Sequence, residues 1–80
     1  MRLKLRSIEL FCAVVEEQSI SGAAQRMYLS QPAVSARLAE LEKHACVSLL
    51  ERSHHGVALT PDGAVFYEKA KRIVDRKSVV

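Results

Sequence analysis

Eighty residues, 49% of them apolar and 26% charged, make one small folded domain with a modest core, and they exclude both a disordered tail and a multidomain chain. Twelve Lys and Arg against nine Asp and Glu leave a net charge of +3, a sign that suits a polyanionic partner but an excess that many domains without one share. Two prolines and three glycines favour helices over a turn-rich β architecture.

Leu5, Ile8, Phe11, Cys12 and Val15 recur at helical spacing, with Arg6, Glu9, Glu16 and Glu17 elsewhere on the wheel, so a first amphipathic helix is predicted over residues 4 to 18. Gln18 to Gly22 interrupts it. Ser21 is the expected N-cap of a short second helix through Ala23, Ala24, Gln25, Arg26 and Met27. Ser30 is the next N-cap candidate, and Pro32 falls in the first turn of a third helix, where its missing N–H costs nothing. Val34, Leu38 and Leu41 give that helix a core stripe, and it should end near His44 or Ala45.

The period then changes. Val47 and Leu49, then Val57 and Leu59, alternate with other residues around the polar connection Glu51 to Gly56, which reads as a β-hairpin. Thr60, Pro61 and Asp62 are the N-cap, N1 residue and dipole-matched acid of a fourth helix striped by Phe66, Ala70, Ile73 and Val74, with Tyr67 beside them. That stripe is too apolar for a lone exposed helix, so part of it should meet a second copy of the chain, and part its own domain.

Two short helices joined by a tight turn are the geometry of a helix-turn-helix. Projected at about 100° per residue, the third helix puts Pro32, Ser35, Ala36, Ala39 and Lys43 opposite the apolar stripe, with Gln31 in the first turn. All of these but Gln31 and Lys43 are small, and a helix must come close to base edges to read them. Gln31 and Ser35 can hydrogen-bond bases, Ala36 and Ala39 can touch a thymine methyl, and amides from Ser30 to Ala33 can meet a phosphate. The plainer alternative is that Ala is a good surface helix former. In the hairpin, Arg52 is suited to phosphate or minor-groove contact, with a surface ion pair to Glu51 or another carboxylate as its alternative. Neighbouring His54 belongs to the same candidate surface.

No metal site, cofactor or catalytic set is expected. Adjacent histidines in a hairpin point to opposite faces, no third ligand is near in sequence, and Cys12 and Cys46 make neither a disulfide framework nor a zinc set. Cys12 reads as core filler. No nucleophile with its base, no paired carboxylates and no phosphate loop is visible. The longest apolar stretch near the start, Leu10 to Val15, is too short for a signal peptide or a membrane span, which points to a reducing cytoplasm.

The run from Ala23 through Ser30, Gln31, Pro32 and Ala33 to Ser35 resembles the helix-turn-helix signature of LysR-type transcriptional regulators. Leu41-Glu42-Lys43, Leu49-Leu50-Glu51-Arg52 and Leu59-Thr60-Pro61-Asp62-Gly63 continue the match in order and spacing, from about Leu5 to Val74. The resemblance implies a mainly α fold with a small β-hairpin: a winged helix-turn-helix over residues 1–60, then a long linker and dimerisation helix over 61–80. It implies sequence-specific binding of a pseudo-palindromic double-stranded operator, with a recognition helix at about 31–44 in the major groove and a wing at about 50–58 on backbone or minor groove.

By similarity Ser30, Gln31, Pro32, Ser35 and Ala36 face the groove, and Arg52 reaches out from the wing. Arg37, on the flank, is expected on a phosphate. Phe66, Tyr67, Ala70, Ile73 and Val74 are the candidate homodimer residues. Higher oligomers and a small-molecule effector would come only through the longer regulator and an effector-binding domain that this sequence lacks. Two departures stand out: Ala36 replaces a long basic residue common in relatives, and Cys46 stands where relatives usually have Gly. Cys46 is therefore either a strained left-handed residue or the mark of a different helix end, and a redox role for its thiol stays open. Still open beside the DNA-binding reading are a winged helix that binds protein and a related regulator with a different sensor, such as a molybdate-responsive repressor.

Overall fold

The computed structural model describes residues 4–53 and 56–78, apart from the side chains of Lys77 and Ser78. The order is α1 (Leu5–Glu17), α2 (Ile20–Met27), α3 (Gln31–Ala45), β1 (Leu50–Ser53), β2 (Gly56–Leu59) and α4 (Pro61–Ser78). This is the mainly helical winged arrangement expected: three helices, a two-stranded antiparallel hairpin and a long last helix.

Helix α1 is the hub, touching α2, α3, α4 and β2. Its buried set is wider than one stripe: Ile8, Leu10, Phe11, Cys12, Ala13 and Val14 are all enclosed. A helix covered on nearly every side needs apolar residues nearly all round, and Leu10, Ala13 and Val14 supply them. Leu5, the first residue of the expected stripe, is instead 38% exposed. Val34, Leu38 and Leu41 from α3, Ala23, Ala24 and Met27 from α2, and Leu49 and Ala70 complete the core.

The N-cap of α2 is Ser19, not Ser21. The Ser19 hydroxyl accepts the Gly22 amide at 2.9 Å, so the helix is capped two residues earlier than expected, because α1 stops at Glu17 and Gln18 turns left-handed at φ 54°. The first strand starts later than the alternation from Val47 predicts, at Leu50, where the resemblance puts the start of the wing. Val47 is 40% exposed, Leu49 goes to the core before the strand begins, and Leu50 pairs with Leu59, Glu51 with Ala58, Arg52 with Val57 and Ser53 with Gly56. The ladder therefore extends into the segment that reads as polar connection.

Two glycines are fixed by close approach. Gly56 has φ +116°, and a Cβ there would stand 2.6 Å from the Gln18 carbonyl oxygen. The Val57 amide donates to that same oxygen at 3.3 Å, tying the wing to the end of α1. A Cβ on Gly63 would overlap the Leu49 carbonyl oxygen. Thr60 caps α4 as its sequence predicts, accepting the Gly63 amide at 2.9 Å and donating its hydroxyl to the Ser48 carbonyl at 2.6 Å.

Candidate nucleic-acid interface

Helix α3 starts at a formed cap: Ser30 accepts the Ala33 amide on its hydroxyl at 3.2 Å and the Val34 amide on its carbonyl at 3.1 Å. Pro32 sits in the first turn. Not all first-turn amides are open to an anion, contrary to expectation. Pro32 has none, and Ala33 spends its own on the cap, so the amides of Ser30 and Gln31 are those that remain.

The buried side of α3 is Val34, Leu38 and Leu41, each at most 2% exposed. Outward lie Ser30, Gln31, Pro32, Ala36, Ala39, Glu40 and Lys43; Ala33, Ser35 and Arg37 are half-buried on the flanks. The outward surface from Ser30 to Ala36 is thus low and uncharged. Farther along it carries Glu40, which the sequence reading passed over. A carboxylate there disfavours close approach of a phosphate chain, so the first two turns are the part of α3 fit to enter a groove.

The cations around this surface are not equivalent. Arg26 is held by Glu16 at 2.7 Å and Glu17 at 3.5 Å, and the hydrogen bond to Glu16 raises its already high pKa further. It is committed inside the domain. Arg37, Lys43 and Arg52 make no ion pair among the described residues. Arg52 is exposed on β1, and the alternative of a pair with Glu51 is not realised: adjacent strand residues point to opposite faces. His54 lies outside the described residues.

Glu42 positions the wing relative to α3, a role the sequence reading missed. Its Oε2 accepts the amides of Leu49 at 2.7 Å and Leu50 at 3.1 Å, and the Ser48 hydroxyl at 3.4 Å. An acid seven residues before a chain reversal is the only sequence trace of this clamp. Arg6 was also missed. Its Nη2 donates to the Met27 carbonyl at 3.1 Å, satisfying the end of α2 beside the turn.

Of the five expected dimer residues, four pack on their own domain. Phe66 meets Phe11 edge-to-face, with centroids 5.2 Å apart. Tyr67 donates to Glu16 at 3.2 Å, and burial, then the Glu16 charge, raises the pKa of its hydroxyl. Ala70 is 2% exposed, and Val74 packs against the core. Ile73 is 47% exposed and, with Leu5, lines a groove rimmed by Lys69, Arg72 and Arg76.

The two cysteines differ. Burial, with Glu16 adding to it, pushes the Cys12 thiol up to about 11. Cys46 is exposed and left-handed at φ 61°, the strained option of the two left open above. Among the described residues no group of three His, Cys, Asp or Glu is placed to hold a metal ion, and no helix is long and apolar enough to cross a membrane.

A capped helix-turn-helix, an antiparallel wing clamped to its second helix and a trailing helix against the first define a winged helix-turn-helix domain. Residues 5–64 match the family described as bacterial regulatory helix-turn-helix protein, lysR family, and the chain belongs to that family. It is 42% identical over 73 residues to the HTH-type transcriptional regulator TfdS of Cupriavidus pinatubonensis, covering 91% of this chain and 25% of that protein. It is 39% identical over 72 residues to the regulator BenM of Acinetobacter baylyi, covering 90% of this chain and 24% of that one. The chain therefore spans about a quarter of the length of these relatives. Its fold superimposes on the CbnR_DBD–DNA complex with a TM-score of 0.89 at 38% identity, over 95% of this chain and 87% of that one. Against the BenM_DBD/catB site 1 DNA complex the TM-score is 0.90 at 37% identity, over 95% and 85%.

Proposed function

We propose that this domain binds double-stranded DNA sequence-specifically, as the DNA-binding part of a LysR-type transcription regulator, and that it catalyses no reaction. The observation that carries this reading is the low, uncharged outward surface of α3 from Ser30 to Ala36, held by a buried opposite face, with Arg37 on its flank and Arg52 exposed on the wing, neither of them in an ion pair among the described residues. The likeness to domains solved in complex with DNA supports it. In this reading Ser30, Gln31, Pro32, Ser35 and Ala36 meet base edges in the major groove. The Ser30 and Gln31 amides and Arg37 meet phosphates, and Arg52 reaches backbone or minor groove.

Residues 1–60 form the reading unit, and α4 continues into a linker that pairs with its copy. Leu5, Val65 and Ile73 are exposed apolar residues available for that pairing, and the buried Ala70 with the half-buried Phe66, Tyr67 and Val74 holds the helix in place. A symmetric pair places two α3 helices on pseudo-palindromic half-sites. The protein works in the cytoplasm, and an effector would act through a further domain of a longer protein.

Selection of bound duplexes from a random pool, followed by gel-shift titration, tests the reading. Gln31→Ala should relax sequence preference. Arg52→Ala should weaken binding to all duplexes alike and lower the salt slope by about one. Binding of both variants indistinguishable from wild type would refute the assignment.

A further inference from the structure

Tyr28 is the most exposed large apolar side chain of the described residues, at 94%. It stands in the turn between α2 and α3, left-handed at φ 57°, a conformation that disfavours any residue with a Cβ by about 1–2 kcal/mol. The ring contributes nothing visible to the fold. Among the described residues it packs against no other ring, and its hydroxyl makes no hydrogen bond. Glycine would serve the turn better. A strained position filled by a bulky, unburied aromatic points to a use outside the domain.

The surroundings indicate which use. The Tyr28 amide is held by the carbonyls of Ala24 and Gln25, so the root of the side chain is fixed. Two residues on is Ser30, the cap of α3, at most about 7.6 Å away along the chain. On the other side, the guanidinium of Arg6 lies on the carbonyl of Met27 at 3.1 Å. The phenol is thus rooted one residue after a carbonyl that holds a cation and two residues before the cap that opens the low surface of α3. The backbone of a strand bordering a groove entered by that surface alternates phosphates with deoxyriboses. A phenol donates to the first and packs on the second.

We propose that Tyr28 is a DNA-backbone contact, its hydroxyl donating to a phosphate beside Arg6, which positions the duplex without reading bases. The proposal rests on the DNA-binding reading above. Tyr28→Gly should therefore have effects of opposite sign: the free domain melts at a higher temperature, while affinity for a duplex selected from a random pool falls about tenfold. The loss should be equal on a mixed-sequence duplex, because no base is read. Tyr28→Phe, which keeps the ring, should lose about threefold, and a methylphosphonate at the contacted position should weaken wild type but not Tyr28→Phe. A Tyr28→Gly domain that binds both duplexes like wild type, while Gln31→Ala and Arg52→Ala lose affinity or preference, would overturn the proposal and leave the DNA reading intact. Failure of the wild-type domain to bind any selected duplex overturns both.

Discussion

The carboxylate of Glu42 accepts the backbone amide of Leu49 at 2.7 Å, joining the C-terminal half of α3 directly to the root of the wing. The same oxygen takes the Leu50 amide at 3.1 Å, so one side chain satisfies two donors at the point where the chain leaves the helix for the sheet. The two surfaces proposed to meet DNA are therefore held in one relative position.

Glu42→Gln should cost about 1–2 kcal/mol of stability, because neutral acceptors hold amides less strongly than a carboxylate does. Urea titration measures it. In a gel shift the variant should lose affinity beyond what its folded fraction accounts for, since the Arg52 strand is no longer held against α3. Stability equal to wild type would remove the clamp from the account.

Gly63→Ala should be among the most damaging single substitutions, destabilising by about 3 kcal/mol. Its Cβ would collide with the Leu49 carbonyl oxygen, which is itself engaged by the Thr60 amide at 3.1 Å. Gly22→Ala is the milder comparison: its Cβ would stand 3.1 Å from the Glu17 Cβ, a crowding of a few tenths of an ångström and not an overlap, and the effect should be smaller. Equal losses from the two would contradict the close approach of α4 to the Leu49 strand entry.

Cys46→Gly should stabilise the domain by about 1 kcal/mol, by relieving the left-handed strain at φ 61° net of the added freedom of the unfolded chain. A shift of the urea midpoint upward without a change in slope is the expected result. An unchanged or lower midpoint would mean that the residue bears no strain worth relieving.

Cys12 should make the stability of the domain fall in alkaline solution. Cys12 has a folded pKa of about 11 against an ordinary value of 9.0, so the folded state holds its proton more tightly than the unfolded state does. Its stability contribution is complete below pH 9 and is lost as pH rises from 9 through 11, amounting to roughly 2–3 kcal/mol. Wild type should lose more stability than Cys12→Ala over that window in parallel urea titrations. At pH 8 a thiol reagent should modify exposed Cys46 quickly and Cys12 only on unfolding. Equal alkaline losses in the two proteins would remove Cys12 from this pH dependence.

Local chemistry was enough to place much of this molecule. The period of Val34, Leu38 and Leu41, the hydroxyl of Ser30 and the Thr60-Pro61 start of α4 each act within one or two turns, so the pattern carries them directly. The low outward surface of α3 was equally legible, because a helix projects its residues at fixed angles whatever it packs against. The extent of burial along α1 was not: Leu10, Ala13 and Val14 are enclosed because other elements converge on one helix, and no local period encodes how many neighbours a helix has. The same holds for Ser19 displacing Ser21, decided by where α1 stops, and for Phe66 and Ala70 turning inward to Phe11 and the core. Only the folded chain brings Glu42 to Leu49, Arg6 to Met27 and Gly63 to the Leu49 carbonyl. Those contacts depend on the relative placement of whole elements, which side-chain periodicity within any one of them does not specify.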